Sequence, residues 1–461
     1  TMTIAGGVQT AQADSDPYDA HLVETVTPTN TTINLFDYWA TNGANDNSQN
    51  FDNTGAGING GHALKFNGGA GEGFNKWTGS GAGPCRGVVQ NTLGSDGYPV
   101  LSEGTESLSY LFDDTNYADG KQPGKVVYKN VGGLLQLDEN GNYVYDSHKN
   151  YAAYDAASNS FKVYDAAGVK SRGDSSGYKT GQFFPFNAAG TVFSVNGQGP
   201  LQANNVYDDS NTTLNHHFGL SMTSTFVQPN NGKTNGNDMV FEFSGDDDVW
   251  VYIDGVLVGD LGGIHDACGL KINFATGKVT ITKGSGVLSG SGAQVDTETT
   301  LWKQYVAALS SEEEAAKYFT DDQTRFKDNT YHELKFFYLE RGAGASNMKL
   351  TTNLYTTTAS DVTKYDQNNQ PVVGAKFELY RADGSYTVVG DPIASGVTGA
   401  DGVLTLTDKS GQFISFDQEA TDKDNGTSYF VLREVSVPDG YRTGLYNTKD
   451  SHKELHLHYV K

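Results

Sequence analysis

The chain is predicted to be all-β, with a large head carrying long loops and a short helical insertion, followed by a smaller β domain. Three observations predict this. Two β-rich segments, Val249-Trp250-Val251-Tyr252-Ile253 and Val256-Leu257-Val258, flank Asp254-Gly255, the dipeptide of a two-residue hairpin turn with positive φ. Further segments alternate apolar and polar residues with period two. Composition supplies the third: 56 Gly, 26 Tyr and 23 Phe among 461 residues suit short strands and tight turns in two or three domains.

Taken in order, Thr1 to Pro28 is polar and expected to be a poorly ordered lead-in. Thr31 to Trp39 alternates like a first strand. A Gly/Asn-rich reach from Asn42 to Gly83 reads as loop. Asn142 to Ser147 and Phe161 to Asp165 read as short strands whose tyrosines pack their rings and keep their hydroxyls wet. Phe183 to Phe186 and Phe218 to Phe226 carry more buried apolar mass. One helical patch is expected over Glu298 to Tyr318. Leu301, Tyr305, Ala308 and Leu309 share a face there, and Ser310 or Ser311 caps a second short helix at Glu312-Glu313-Glu314. Acids at a helix start complement its dipole, so that run needs no functional reading. His332 to Glu340 reads as a core strand, and Met348 to Leu354 closes the domain. Thr356 to Ser360 is a polar linker, after which the character of the sequence changes.

The net charge of −23 and pI near 4.7 argue against nucleic-acid and anionic-membrane partners, which attract basic patches. Acidity of this kind also keeps an exposed protein soluble. No apolar stretch approaches the roughly 20 residues of a membrane helix. Thr1 to Asp16 lacks the basic start and apolar core of a signal peptide, so export and anchoring signals are expected to lie outside these residues.

The chemistry concentrates at the open end of the hairpin. With a plain two-residue turn, Ile253 faces Val256, Val251 faces Val258 and Val249 faces Asp260. Asp246-Asp247-Asp248 therefore enter one strand where Asp260-Leu261-Gly262-Gly263 leaves the other, with the glycines open to a ligand. Crowded carboxylates must be protonated, solvated or neutralised, and a hard cation with six to eight oxygen ligands, Ca²⁺, suits them best. Successive strand residues point to opposite faces, so neighbouring aspartates share one ion only where the backbone leaves strand geometry, as at a cis peptide. The plain alternative is a solvated acidic edge.

These residues carry a resemblance. Gly245 to Gly255, then Asp260 to His265, together with Asn215-His216-His217-Phe218-Gly219, Glu340-Arg341 and Ser346 to Leu350, resemble the fibro-slime domain over roughly Thr31 to Tyr355. Such domains belong to large bacterial surface proteins and are similar to the protective-antigen-type β-sandwich. The resemblance implies Ca²⁺ held by two adjacent aspartates joined by a cis peptide, as in flocculin lectins; these match Asp246 and Asp247. Asp248 stands where many relatives have glycine. Asp260 and Asp266 are further candidate metal ligands, and Gly262, Gly263, His265 and Asn347 candidate ligand-binding residues. Cys85 and Cys268 would form one disulfide in an exported protein; no motif supports a Cys–Gln thioester at either. His216-His217 read as packing residues. His456 and His458 share a strand face, a weak metal signal on their own.

Lys364-Tyr365-Asp366, Pro371 to Tyr380, Tyr429 to Glu434 and Pro438-Asp439-Gly440-Tyr441 resemble a collagen-adhesin B-type domain, the small immunoglobulin-like β-sandwich of Gram-positive pilus stalks. The resemblance implies an isopeptide bond from Lys364, assisted by Glu434. Burial would depress the amine and raise the acid, as the reaction needs. The last strand, Leu455 to Lys461, offers no Asn or Asp as acceptor; without one the two form an ordinary ion pair.

The expected organisation is a lead-in over 1–28, a sandwich head over 29–355, a linker over 356–360 and a B-type domain over 361–461. Three functions follow, in order: an extracellular, cell-wall or pilus adhesin with a Ca²⁺-dependent head binding host or dietary glycans and partnering other pilus subunits; a structural spacer in which Ca²⁺ only stiffens the fold; and a glycosidase. The last is set aside because no nucleophile motif is present and the acids are too tightly clustered.

Overall fold

The computed structural model describes residues 16–28, 30–38, 81–116, 125–167, 182–195, 199, 201–204, 214–284, 286–289, 291–341, 346–356, 362–399, 402–409, 414, 427–442, 444 and 453–460. Two antiparallel sheets build the head. One has six strands in the order Val256–Leu261, Asp248–Ile253, Tyr331–Glu340, Phe218–Val227, Thr31–Asp37 and Val126–Tyr128. The other has seven: Gln294–Thr300, Lys278–Lys283, Cys268–Asn273, Val240–Gly245, Met348–Thr352, Tyr143–Asp146 and Gln136–Leu137. Alternation sends Val249, Val251 and Ile253 into one core with Phe336 of the neighbouring strand and Phe241 and Phe243 of the facing sheet. It sends Trp250 and Tyr252 the other way, into a second core with Val89, Leu101, Leu108 and Phe112. The head is thus a sandwich with an extra layer over the outer face of its six-stranded sheet.

The hairpin turn forms as expected, with Asp254 at φ 52° and Gly255 at φ 77°. The register does not. Ile253 pairs with Val256 and Tyr252 with Leu257, but Val251 then pairs with Gly259, Trp250 with Asp260 and Val249 with Leu261. Val258 is the extra residue of a bulge, so beyond it every partner moves by one position.

The helical patch starts later than expected: Glu298 ends up in the strand Gln294–Thr300, and the helix is Leu301–Leu309. Its cap is Thr300, whose hydroxyl accepts from Lys303 N at 3.2 Å. Ser310 closes it in the left-handed region, and Ser311 caps Glu312–Ala316. The Tyr305 hydroxyl donates to Asp254 Oδ2 at 2.9 Å, seating the helix against the hairpin turn. The lead-in is not loose throughout. Pro17–His21 forms a 3₁₀ turn, and Val23 and Val26 donate backbone hydrogen bonds to Val163 and Leu135.

The C-terminal sheet has the order Leu404–Thr407, Val388–Thr398, Lys376–Ala382, Thr427–Ser436 and Glu454–Val460. It has its own core of Phe377, Leu379, Leu404, Leu406, Phe430 and Leu432. No described helix is long and apolar enough to cross a membrane.

Candidate functional site

Val240–Gly245 lies in the seven-stranded sheet and Asp248–Ile253 in the six-stranded one, so Asp246 and Asp247 are the crossing between sheets. Asp247 takes φ 64°, which breaks strand alternation between the two neighbouring acids. A second crossing lies beside the first. Leu339 pairs with Asp248 in one sheet and Met348 with Gly245 in the other, so Glu340, Arg341 and Asn347 converge on the acidic run.

Each aspartate of the run meets a different fate. Asp248 is fully buried, and so is Arg341, whose Nε and Nη2 donate to its Oδ2 and Oδ1 at 2.7 and 3.3 Å. Gly263 N–H adds a bond to Oδ1 at 2.6 Å. The expectation that Asp248 is a free cation ligand is therefore corrected: a guanidinium already neutralises it. Asp247 Oδ2 accepts from Arg341 N at 2.9 Å. Asp246 accepts from Asn347 N at 2.8 Å and Asn347 Nδ2 at 3.1 Å.

These bonds do not offset burial. Desolvation pushes the Asp246 carboxyl up to about 7, with Asp266 adding to the rise. Burial and then Asp246 hold Asp247 well above the carboxylate range, while burial and then Asp247 do the same to Glu340. Tyr338 donates to Glu340 Oε2 at 2.9 Å. Three buried carboxyls thus share a region in which, among the described residues, the Arg341 guanidinium pairs with Asp248. Within it Asn347 Oδ1 is buried without a donor, and Asn347 is 3% exposed. Asn347 turns its Nδ2 to Asp246, so its unpartnered Oδ1 lies beside the acidic run, and buried carboxyls next to a free amide oxygen are oxygen donors of the kind a hard cation takes. Among the described residues no group of three or more His, Cys, Asp and Glu is arranged around a metal position. The candidate is accordingly two carboxylates completed by amide oxygens, rather than five aspartates.

The bulge explains why Asp260 leaves this group. As Trp250's partner it faces the outer layer, where Oδ2 accepts from Gly87 N at 2.8 Å and burial lifts the carboxyl to about 6. Asp266 Oδ2 accepts from Gly81 N at 2.8 Å. Both donors belong to a segment that runs along the free edge of the hairpin, with Cys85 N on Gly262 O, Leu257 N on Asn91 O and Leu93 N on Gly255 O. This segment, which begins at the described end of the Gly/Asn-rich reach and continues to Leu93, covers the exposed strand edge.

The same segment corrects the reading of the glycines as a ligand approach. A Cβ at Gly262 would lie 2.7 Å from Cys85 O, so the residue is small to admit the chain's own backbone. Gly263, at φ 88°, spends its N–H on Asp248. His265 is buried, with Nδ1 and Nε2 at 2.8 and 3.1 Å from the carbonyls of Asp266 and Leu261. It braces the turn. The expected disulfide is absent, because both thiols are free and Cys268 Sγ lies 3.3 Å from Asp266 O. Gly262→Ala is expected to dislodge the edge segment, lower stability by about 1–3 kcal/mol and speed thiol labelling of Cys85. Unchanged melting and labelling would refute that packing role.

In the C-terminal domain Lys364 Nζ sits 2.8 Å from Glu434 Oε2, and buried Glu434 also accepts from Gly444 N at 2.7 Å. The predicted partners meet as an ion pair. The last strand, Glu454–Val460, pairs with Thr427–Ser436. His456 and His458 stack on Tyr386 and Tyr429 at ring distances of 4.5 and 4.3 Å, which accounts for them without a metal. His216 packs edge-on against Phe184. The pairing of Arg341 with Asp248 has no local signal in the sequence, since the two residues stand 93 positions apart.

Residues 359–449 match the SpaA prealbumin-like fold domain. Among curated relatives, protein psiI of Dictyostelium discoideum is 41% identical over 101 residues, 22% of this chain and 12% of that protein. Protein psiF of the same organism is 29% identical over 188 residues, 40% of this chain and 21% of that protein. The chain therefore spans about a fifth or less of these relatives' length. Among solved structures, the Actinomyces fimbrial adhesin FimA is 14% identical with a TM-score of 0.14, covering 53% of this chain and 89% of that one. The full-length major pilin SpaD from Corynebacterium diphtheriae is 11% identical with a TM-score of 0.16, covering 93% and 84%. Scores that low carry no argument about fold. The chain is an all-β protein whose residues 359–449 match the SpaA prealbumin-like fold domain and which is similar, over part of its length, to psi proteins of Dictyostelium discoideum.

Proposed function

We propose that this chain is a cell-surface adhesin subunit of pilus type, in which a Ca²⁺-holding β-sandwich head is carried on a SpaA-type stalk domain. The observation that carries the reading is the covalent order: a domain of the kind matched at 359–449 follows a larger sandwich whose sheet crossing is short of positive charge. Asp246, Asp247 and Asn347 Oδ1 would hold the ion, and the ion would supply charge neutralisation at the crossing. They are 6, 4 and 3% exposed, which favours an ion that locks the rim over one that touches a ligand. The partners are then other pilus subunits and a host or dietary glycan. In the stalk, Lys364 beside buried Glu434 is the start of an isopeptide bond. Condensation with an Asn would release one ammonia and with an Asp one water, so the intact mass reads it directly.

Calorimetric titration of chelator-treated protein with Ca²⁺ tests the head. Binding by the natural chain and its loss in Asp246→Asn/Asp247→Asn is the expected result. No binding by the natural chain, or unaltered binding in the variant, would overturn the assignment.

A further inference from the structure

The crossing is buried, whereas the outer face of the seven-stranded sheet beside it is open. On the outer face of the seven-stranded sheet, register aligns Lys349, Ser244, Gly269 and Thr282 in one cross-strand row. The neighbouring row, two residues along each strand and roughly 7 Å away, carries Glu242 and Lys271 side by side with Oε1 and Nζ 3.2 Å apart. Phe243, between these positions, points inward and packs 5.4 Å from Phe336. The first row is small in the middle because a side chain at Gly269 would collide with Thr282 Oγ1. The helix Gly286–Ser289 forms the far wall through Val287. The result is a groove of about 330 Å³ lying across the strands, at the lower end of the size of small-molecule sites.

We propose that this groove is the head's binding site for a short oligosaccharide; the inference rests on the adhesin reading above. Among the polar residues of its largely apolar lining, an ammonium sits beside a carboxylate in Lys271 and Glu242, and the hydroxyls of Ser244 and Thr282 follow. A sugar's neighbouring hydroxyls each donate and accept, so a Lys–Glu pair matches two of them at once. Both charged side chains are about half exposed, so they can turn to a ligand at little desolvation cost. At the groove's end Lys349 lies 4.0 Å from its nearest carboxylate, Asp146, and suits an acidic substituent on the sugar. A peptide strand fits less well, because the floor strands are paired on both sides and offer no free backbone edge.

The test uses the full chain on a printed panel of mucin-type, milk-type and plant-cell-wall oligosaccharides, comparing the natural sequence with Ser244→Trp, which fills the groove, and with Lys271→Ala. The expected result is at least a tenfold loss of binding in both, with melting and Ca²⁺ titration unchanged. Should Ser244→Trp disturb folding, Lys271→Ala carries the comparison. Undiminished binding by folded variants would overturn the groove and leave the adhesin reading standing. Failure of the natural chain to bind any oligosaccharide on the panel would overturn both.

Discussion

Arg341→Met is expected to destabilise the head by about 3–5 kcal/mol, the usual cost of removing one partner of a buried ion pair. Asp248 and Arg341 are both fully inside the protein, and the guanidinium meets both carboxylate oxygens. Without it Asp248 keeps the Gly263 N–H while Asp246, Asp247 and Glu340 crowd the same region. The double variant Asp248→Leu/Arg341→Met removes both charges and should recover part of the loss. Tryptophan fluorescence during urea unfolding reads the head alone, since the four tryptophans are Trp39, Trp77, Trp250 and Trp302. A variant within about 1 kcal/mol of the natural chain, below the ordinary effect of breaking a buried pair, would show that Asp248 does not depend on Arg341.

The second large effect is a reversed pH dependence. A carboxyl raised by burial keeps its proton in the folded state at a pH where the unfolded chain has released it. Its stabilising contribution is therefore fully present at and below the unfolded value and is lost as pH rises through the folded one. For Asp246 that window runs from the ordinary carboxylate range up to about 7, and for Asp260 up to about 6. Asp247 and Glu340 act in the same direction. Each unit of upward shift costs about 1.4 kcal/mol once the group ionises. In chelator the head should melt at a higher temperature near pH 5 than near pH 8. Calcium should raise the melting temperature most at the higher pH, because it binds the ionised carboxylates. A chelated head equally stable at both values would contradict the buried, charge-deficient crossing.

Much of the fold was legible from neighbouring residues. Asp254-Gly255 named its own turn because few dipeptides accept positive φ twice, and Ser311 before three glutamates named a helix start. The strand Tyr331–Glu340 could be read from its composition, whereas Phe218–Val227 stood out only as buried apolar mass. The hairpin register could not, because a bulge at Val258 costs the local pattern nothing and pays off only in which face Asp260 meets. Nor could the roles of Gly262 and Gly263, whose small size serves the packing of Cys85 and the capping of Asp248.

By itself the sequence determined an all-β chain, the hairpin at its centre, the acidic run and the change of sequence character near residue 360, since each depends on residues close together in the chain. Tertiary structure alone decided which aspartate is neutralised by Arg341, which is held by the Asn347 amide, and that the acids are buried rather than displayed. Those outcomes depend on where two sheet crossings meet, and on Arg341 and Asn347 arriving from about a hundred residues away. Desolvation and charge pairing act through space, so they follow the folded arrangement rather than the order of residues.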